Sequence, residues 1–406
     1  MAETPTRGGV DVVGVGADGW DGLSDRLRAL VAQAEVVVGG ERHLAMLPSE
    51  IGAERLPWPS PMREALPGVV ETWAGRRVVV LASGDPYVAG IATTLQDFVP
   101  AEHLIVHPAV SSEALARARM GWAAETVTLL RDHAVLPRHL ADGQRLLVLS
   151  RDADVPDEVA ALLVSAGLGT SRLTALANLG AADETAAVGP ADSWGHVVPS
   201  LHVLAVEVVA DPSTTVLGWS AGLPDDAFEH DGQLTKRDLR ASALARLAPT
   251  PGALLWDVGA GAGSVGIEWM RAHPTCRTLA VESHPDRAAN VADNAARLGV
   301  PALRVVEGRA PDALTDLPRP DAVFVGGGAT REGVLDTVWD RLGPGGRLVV
   351  HAVTLETERV VVDWASRVGG ELTRVAVETA RPIGTFTGWE PARAVVQWAV
   401  TKGETP

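Results

Sequence analysis

Unbroken runs of valine and leucine that end on glycine or an acidic residue constrain this chain more than any other feature. "VVVLASGD" (78–85), "LLWDVG" (254–259) and "RLVVHAV" (347–353) lack polar alternation, and strands with that pattern have both faces covered. Amphipathic segments such as 23–34, 157–169, 264–272, 285–298 and 355–368 come between them. The rhythm is α/β. At 406 residues the chain exceeds a single core, and at roughly 150 residues per domain two domains are expected.

The break falls after "LHVLAVEVVA" (201–210), where Pro, Gly, Ser and acidic residues take over. We expect a first domain over 8–211, a linker over 212–222 and a second domain over 223–403. In the second domain five strand candidates (253–259, 277–282, 303–308, 321–327, 346–353) alternate with helical candidates, including short ones at 310–316 and 331–342. Two further strands, 371–378 and 393–400, have no helix between them and are expected to pair antiparallel at a sheet edge, giving seven strands.

Composition excludes several classes. Lys and Arg number 35 against 51 Asp and Glu, a formal charge of -16. No basic run offsets that balance, so a nucleic-acid partner is not expected. The one cysteine, Cys276, permits no intrachain disulfide or cysteine metal cluster, which fits a reducing cytoplasm. The first residues lack a signal-peptide pattern and no stretch suits a membrane helix. No metal site is expected.

Two glycine clusters fit the bare pattern GxGxxG: Gly14, Gly16, Gly19 and Gly261, Gly263, Gly266. The second has the wider context, a strand before it, a helix after it and Glu282 ending the next strand, where a carboxylate can bind ribose hydroxyls. Asp257 precedes the first glycine and would repel a pyrophosphate, while it suits a cationic amino or sulfonium group. The run D-x-G-x-G-x-G resembles motif I of the class I methyltransferases. "VVEGRAPDAL" (305–314), with Gly308 and Ala310, and "LGPGGRLVV" (342–350) extend that likeness. It implies a Rossmann-like fold that binds S-adenosylmethionine through Thr235, Asp257, Gly259, Ala260, Gly261, Ala262, Gly263, Glu282 and Ala310. The fourth strand ends in "FVGGG" (324–328), which offers no side chain to polarise an amine, so a carbon acceptor is expected.

In the first half, "LASGDPYVAGIATTL" (81–95) and "VHPAVSSEALARARMG" (106–121) resemble the tetrapyrrole methylases, a two-lobed family. The likeness implies cofactor binding by Gly84, Asp85, Val88, Ser111 and Ser112. "AEVVVGGERHLAMLP" (34–48) and "LTALANLGAADE" (173–184) are similar to its precorrin C5-methylating branch. Two positions depart from that branch: Ala177 stands where Glu is usual, and Ala109 follows Pro108 where Gly is usual. "DDAFEHDGQLTKRDLRASALARL" (225–247) resembles the entry to the precorrin C15-methylating, decarboxylating enzymes. The two resemblances, in this order, imply a bifunctional C-methyltransferase of cobalamin biosynthesis. Its tetrapyrrole substrate would be precorrin-6Y, methylated at C5 and C15 with loss of the ring C acetate carboxyl as carbon dioxide. Relatives of the second domain imply a homo-oligomer. A two-domain NAD-dependent oxidoreductase is the alternative from the doubled glycine pattern and Glu282. A C15 enzyme whose first domain only binds tetrapyrrole is the alternative from Ala109 and Ala177.

Lys236, His351 and Glu356 are the catalytic candidates, the last two as proton shuttles, with a structural role as the competing reading of His351. Thr235 reads equally as a helix N-cap and Asp85 as a turn residue. Lys236, Arg237 and Arg240 would form the positive patch that a polycarboxylate requires of an acidic protein, with a solvated helix face as the alternative. Of 12 tryptophans, core packing is the default for most, Trp256 and Trp269 included, and some could line a flat macrocycle pocket.

Overall fold

Stacked valines set the first sheet. In the computed structural model, which describes residues 9–149, 152–211, 214 and 217–403, five parallel strands lie in the order Glu54–Pro57, Val36–Gly39, Val78–Ser83, Val10–Val15, Leu104–His107. Val12, Val38 and Val80 pack on one side with Leu66 and Leu95. Val13, Val37 and Leu81 pack on the other with Val31 and Leu44. Successive residues therefore reach different apolar cores, and no polar alternation can appear. A second sheet runs Val127–Leu130, Arg145–Leu149, His202–Glu207, Arg172–Ala177, Thr185–Pro190, its first pair parallel and the rest antiparallel.

The described residues fall into two compact units, Met1–His133 with Asp142–Thr214 and Ala134–Ala141 with Thr215–Pro406. Residues 8, 150, 151, 212, 213, 215 and 216, which fall in the domain and linker ranges above, lie outside the described residues.

The second unit carries a seven-stranded mixed sheet in the order Arg304–Glu307, Arg277–Glu282, Leu254–Val258, Ala322–Val325, Arg347–Ala352, Val395–Thr401, Glu371–Val375. The first five are parallel, and Val395–Thr401 runs antiparallel to both neighbours. From Leu254–Val258 the chain steps outward twice, then returns to pair Ala322–Val325 on the other side of that first strand. This reversal opens a crevice at the carboxyl ends of the central strands. Trp256 and Trp398 fill one side of the sheet and Trp269 the other, all fully buried.

Helices Ser264–Ala272 and Leu355–Val368 match the expected spans. The segment expected to be helical at 310–316 keeps only a short turn, Asp312–Leu314. Between the paired terminal strands the chain adds an unanticipated hairpin, Glu378–Ile383 with Phe386–Pro391. Among the described residues no helix is long and apolar enough to cross a membrane.

Arg240 is a structural clamp, which corrects its reading as part of a substrate patch. It is fully buried in helix Arg237–Leu247. Its Nε lies 2.5 Å from Glu268 Oε1, and its other nitrogens donate to the carbonyls of Thr235 and Leu223. Glu268 also accepts from the amides of Gly222 and Leu223 at 2.6 and 2.9 Å. One buried ion pair thus ties the entry segment of the second unit to its helices. Glu268→Ala strands a buried guanidinium and is expected to cost about 3 kcal/mol or more of the second unit's stability, whereas Arg240→Met with Glu268→Met removes the stranded charge but still leaves the Gly222 and Leu223 amides without an acceptor, and recovers only part of the loss. Denaturant unfolding of wild type and the two variants checks this.

Candidate active site

The crevice of the second unit is a cleft of about 890 Å³. Its floor is the turn after Leu254–Val258, where Gly259, Ala260 and Gly261 line the cleft. Gly261 has φ +59°, and a Cβ there would lie 2.6 Å from the carbonyl oxygen of Gln233. That glycine is bare because another stretch of backbone crosses it. The turn's amides are also spent within the protein. Gly259 and Ala260 donate to Val281 O, Ala262 to Gln233 O and Gly263 to Ala260 O, and Gly261 donates to Glu282 Oε2 at 2.8 Å. A pyrophosphate needs free N–H groups at such a turn. From Gly259 to Gly263 none is left.

Asp257 does not reach the cleft. It is 1% exposed and its Oδ2 accepts from Gly266 N at 2.9 Å, so it holds the helix start from behind the turn instead of facing a cationic ligand. Ala262 and Gly263 are likewise outside the lining; Gly263 packs against the side chain of Val291. Glu282 is in the lining, and its Oε1 accepts from Ser283 and His284 N at 2.9 and 3.0 Å. Thr235 and Ala310 line the cleft. Thr235 is not a cap: helix Arg237–Leu247 has Lys236 at that position, without a side-chain bond.

Of the catalytic candidates, Lys236 and His351 line the cleft and Glu356 does not. Glu356 is exposed on the first turn of helix Leu355–Val368, its side chain turned to solvent. His351 Nε2 lies 2.9 Å from Gln397 Oε1 and its ring meets Phe324 edge-on at 4.9 Å. An amide oxygen only accepts, so this bond assigns the proton to Nε2 and leaves Nδ1 as the acceptor. Burial lowers its pKa, opposed by Gln397, and the ring is a neutral base at pH 7.

The cleft carries more positive charge than was anticipated. Besides Lys236 and Arg237, it is lined by Arg287, Arg309, Arg331, Arg381 and Arg393, of which Arg381 belongs to the added hairpin and Arg393 follows it. Against them stand Asp225, Asp238, Glu282 and Glu390. Lone arginines scattered over the sequence give no signal of convergence; the sheet topology gathers them.

A second cleft of about 660 Å³ lies in the first unit. Gly84, Val88 and Ser112 line it, as do Trp58 and apolar residues of both sheets, Leu81, Leu149, Leu176 and Val203 among them. Asp85 and Ser111 do not. Asp85 Oδ1 accepts from Tyr87 N at 2.9 Å, a local turn, and Ser111 Oγ caps the next helix through Ala114 N at 3.0 Å. Gly14 of the first cluster is bare because a Cβ would lie 2.0 Å from Gly84 O. Ala109 still donates its amide to Gly84 O at 3.2 Å, so the departure from glycine leaves that contact intact. Among the described residues no group of three or more His, Cys, Asp or Glu could hold a metal ion.

Burial raises the Asp257 pKa to about 7, with Glu282 adding to the rise and the Gly266 amide opposing it. Native protein then binds more protons than unfolded chain between the ordinary Asp range and about 7, so this contribution to stability is full at low pH and fades as pH rises through that window. Asp257→Asn keeps an acceptor for Gly266 and cannot ionise. Relative to wild type, the variant's unfolding transition is expected to gain on the order of 1 kcal/mol or more between about pH 5 and about pH 8, read by thermal melts across pH.

The site geometry can be set beside known proteins. A family model described as tetrapyrrole (corrin/porphyrin) methylases matches residues 10–194, and one described as a precorrin methyltransferase domain matches 226–402. A precorrin-6Y C(5,15)-methyltransferase [decarboxylating] of Sinorhizobium sp is 46% identical over 398 residues, spanning 97% of this chain and 96% of the relative. Its namesake in Mycobacterium tuberculosis is 42% identical over 400 residues, 96% of this chain and 99% of the relative. A probable cobalt-precorrin-6B C(15)-methyltransferase (decarboxylating) of Pyrobaculum aerophilum is 33% identical over 181 residues, 43% of this chain and 92% of the relative. Similarity at this level, carried along almost the whole of both full-length relatives, leaves one conclusion: the chain belongs to the precorrin-6Y C(5,15)-methyltransferase (decarboxylating) family.

Proposed function

We propose that the chain is an S-adenosylmethionine-dependent C-methyltransferase of cobalamin biosynthesis with two active sites. Residues 8–211 methylate precorrin-6Y at C5. Residues 223–403 methylate C15 and release the ring C acetate carboxyl to give precorrin-8. The observation that carries this is a pair of separate clefts, one in each unit, each beside a glycine turn and each lined mostly by the part of the chain matched by its own methyltransferase model. An oxidoreductase reading has no support: the amides from Gly259 to Gly263 are already bonded.

The second cleft suits an adenosine in which no phosphate needs neutralising. Glu282 would take the ribose hydroxyls, Ala310 and Gly308 leave room for a flat base, and Gly259 to Gly261 form the floor. When bound, S-adenosylmethionine supplies an electrophilic methyl group on sulfur. What the chain supplies is alignment, since the bridging carbons of a reduced tetrapyrrole are enamine-like nucleophiles. Lys236, Arg309, Arg331, Arg381 and Arg393 would engage the substrate's peripheral carboxylates. Val353, Val375, Val377 and Val395 form an apolar wall against which the departing carboxylate loses solvation. His351, neutral and buried in the cleft lining, would accept a proton at Nδ1.

A homo-oligomer through the second unit is supported by the hairpin, where Ile383, Phe386 and Trp389 are 63%, 79% and 71% exposed, an apolar patch of the kind that subunit contacts cover. The acidic, cysteine-poor chain suits a cytoplasmic enzyme.

Purified full-length chain given precorrin-6Y and labelled S-adenosylmethionine is expected to add two methyl groups and lose one carbon dioxide, read in one mass spectrum; a product with one methyl or none refutes the bifunctional reading. Calorimetry is expected to show S-adenosylhomocysteine binding and no NAD binding. Glu282→Ala should weaken the second unit's site roughly 10- to 100-fold, the scale of a lost charge-assisted hydrogen bond, and leave the first unit's site unchanged.

A further inference from the structure

The first cleft contains a proton-accepting pair that the sequence reading did not single out. Ser83 ends strand Val78–Ser83 and is exposed in the cleft. Helix Glu41–Ala45 follows the neighbouring strand Val36–Gly39 and brings two side chains to it. His43 Nε2 lies 3.0 Å from Ser83 Oγ, and Arg42 Nη2 lies 3.1 Å from the same oxygen. All three residues line the cleft.

The bonding directions follow from the chemistry of the groups. A guanidinium only donates, so Arg42 occupies one lone pair of Ser83 Oγ. With the neutral His43 ring carrying its proton on Nδ1, Ser83 donates its hydrogen to Nε2, and one lone pair of Oγ is left for a substrate. Burial first, and Arg42 second, push the His43 pKa down to about 4, so the imidazole is unprotonated and able to accept. Among the described lining residues there is no Asp, Glu, Lys, Tyr or Cys. The other ionisable groups there are Arg42, Arg131 and His202. His202 bonds the Pro199 carbonyl through Nδ1 at 2.8 Å, and its Nε2 is buried without a partner. No arginine can serve as a base, which leaves His43, reached through Ser83, as the accessible one.

We propose that Ser83 and His43 form the relay that removes the proton from the ring-bridging carbon methylated in the first unit, an inference that rests on the assignment of C5 methylation to that unit. A bridging =CH– carbon that takes a methyl group keeps its hydrogen and leaves a positive charge on the ring. The new C–CH3 bond is formed with an electron pair from the ring, and the broken S–CH3 pair stays on sulfur. Conjugation returns when the C–H bond breaks and its pair re-enters the ring. The proton goes to Ser83 Oγ as the serine's own proton goes to His43 Nε2, and the imidazolium, destabilised by Arg42, returns it to water.

The test uses full-length chain with precorrin-6Y, comparing wild type with Ser83→Ala and His43→Gln. Both variants should keep C15 methylation and carbon dioxide release at the wild-type rate and slow C5 methylation roughly 100-fold or more, the scale of a lost acid–base group. With substrate deuterated at C5, the C5 step should gain a kinetic isotope effect in the variants as proton removal becomes limiting. S-adenosylhomocysteine should still bind both units, and in ligand-free protein ¹⁵N NMR should report an unprotonated His43 Nε2 whose hydrogen bond is lost in Ser83→Ala. C5 methylation at the wild-type rate in both variants, or a slowed step without an isotope effect, overturns the relay and leaves the C5 assignment standing. A wild-type chain that adds no methyl at C5 overturns the assignment and the relay with it.

Discussion

The carboxylate of Glu282 organises the second unit's site. It accepts the Gly261 amide with one oxygen and the Ser283 and His284 amides with the other, so it fixes the turn after one strand to the start of the helix after the next. Asp257 does the same from the far side through Gly266. With these bonds made, the amides from Gly259 to Gly263 all have partners within the protein. What the turn can still offer a ligand is therefore set by which backbone donors the fold has already used.

The first unit reaches a comparable result on a different plan. Its cleft lies among apolar residues of two sheets, and its glycines serve close backbone approach, as Gly14 does against Gly84. Charged groups are few there and carboxylates are missing from the described lining, whereas the second cleft gathers seven basic side chains, Lys236, Arg237, Arg287, Arg309, Arg331, Arg381 and Arg393. A polycarboxylate macrocycle would therefore be held by charge in the second unit and by shape and apolar contact in the first. Arg42 and Arg131 are the first cleft's only cationic side chains among the described residues.

Much of this architecture was legible because buried parallel strands and amphipathic helices leave separate sequence patterns; helices Ser264–Ala272 and Leu355–Val368 were readable at both ends. The same doubly buried strands concealed where side chains point. In "LLWDV" nothing distinguishes the face of Asp257 from that of Val258, and it is Val258 that lines the cleft. For Arg240 a signal was present: it shares a helical stripe with Ala243, Leu244 and Leu247, all buried, and a lone charge on such a stripe is a buried one. The hairpin at 378–391 was missed because Pro382, Gly384 and Gly388 interrupt any strand pattern, and with it went the arginines it brings to the site.

His43 shows the limit most clearly. "GGERHL" follows a strand, and a Gly-Gly pair followed by polar residues reads as an ordinary helix start. Its partner Ser83 lies 40 residues later, in a loop whose glycine and aspartate draw the attention. Only the pairing of strands Val36–Gly39 and Val78–Ser83 brings their carboxyl ends side by side. The same geometry explains why polar side chains from distant segments gather there. In a parallel sheet every strand ends on the same edge, so residues distant in sequence that each follow a strand become neighbours without any local motif to announce them.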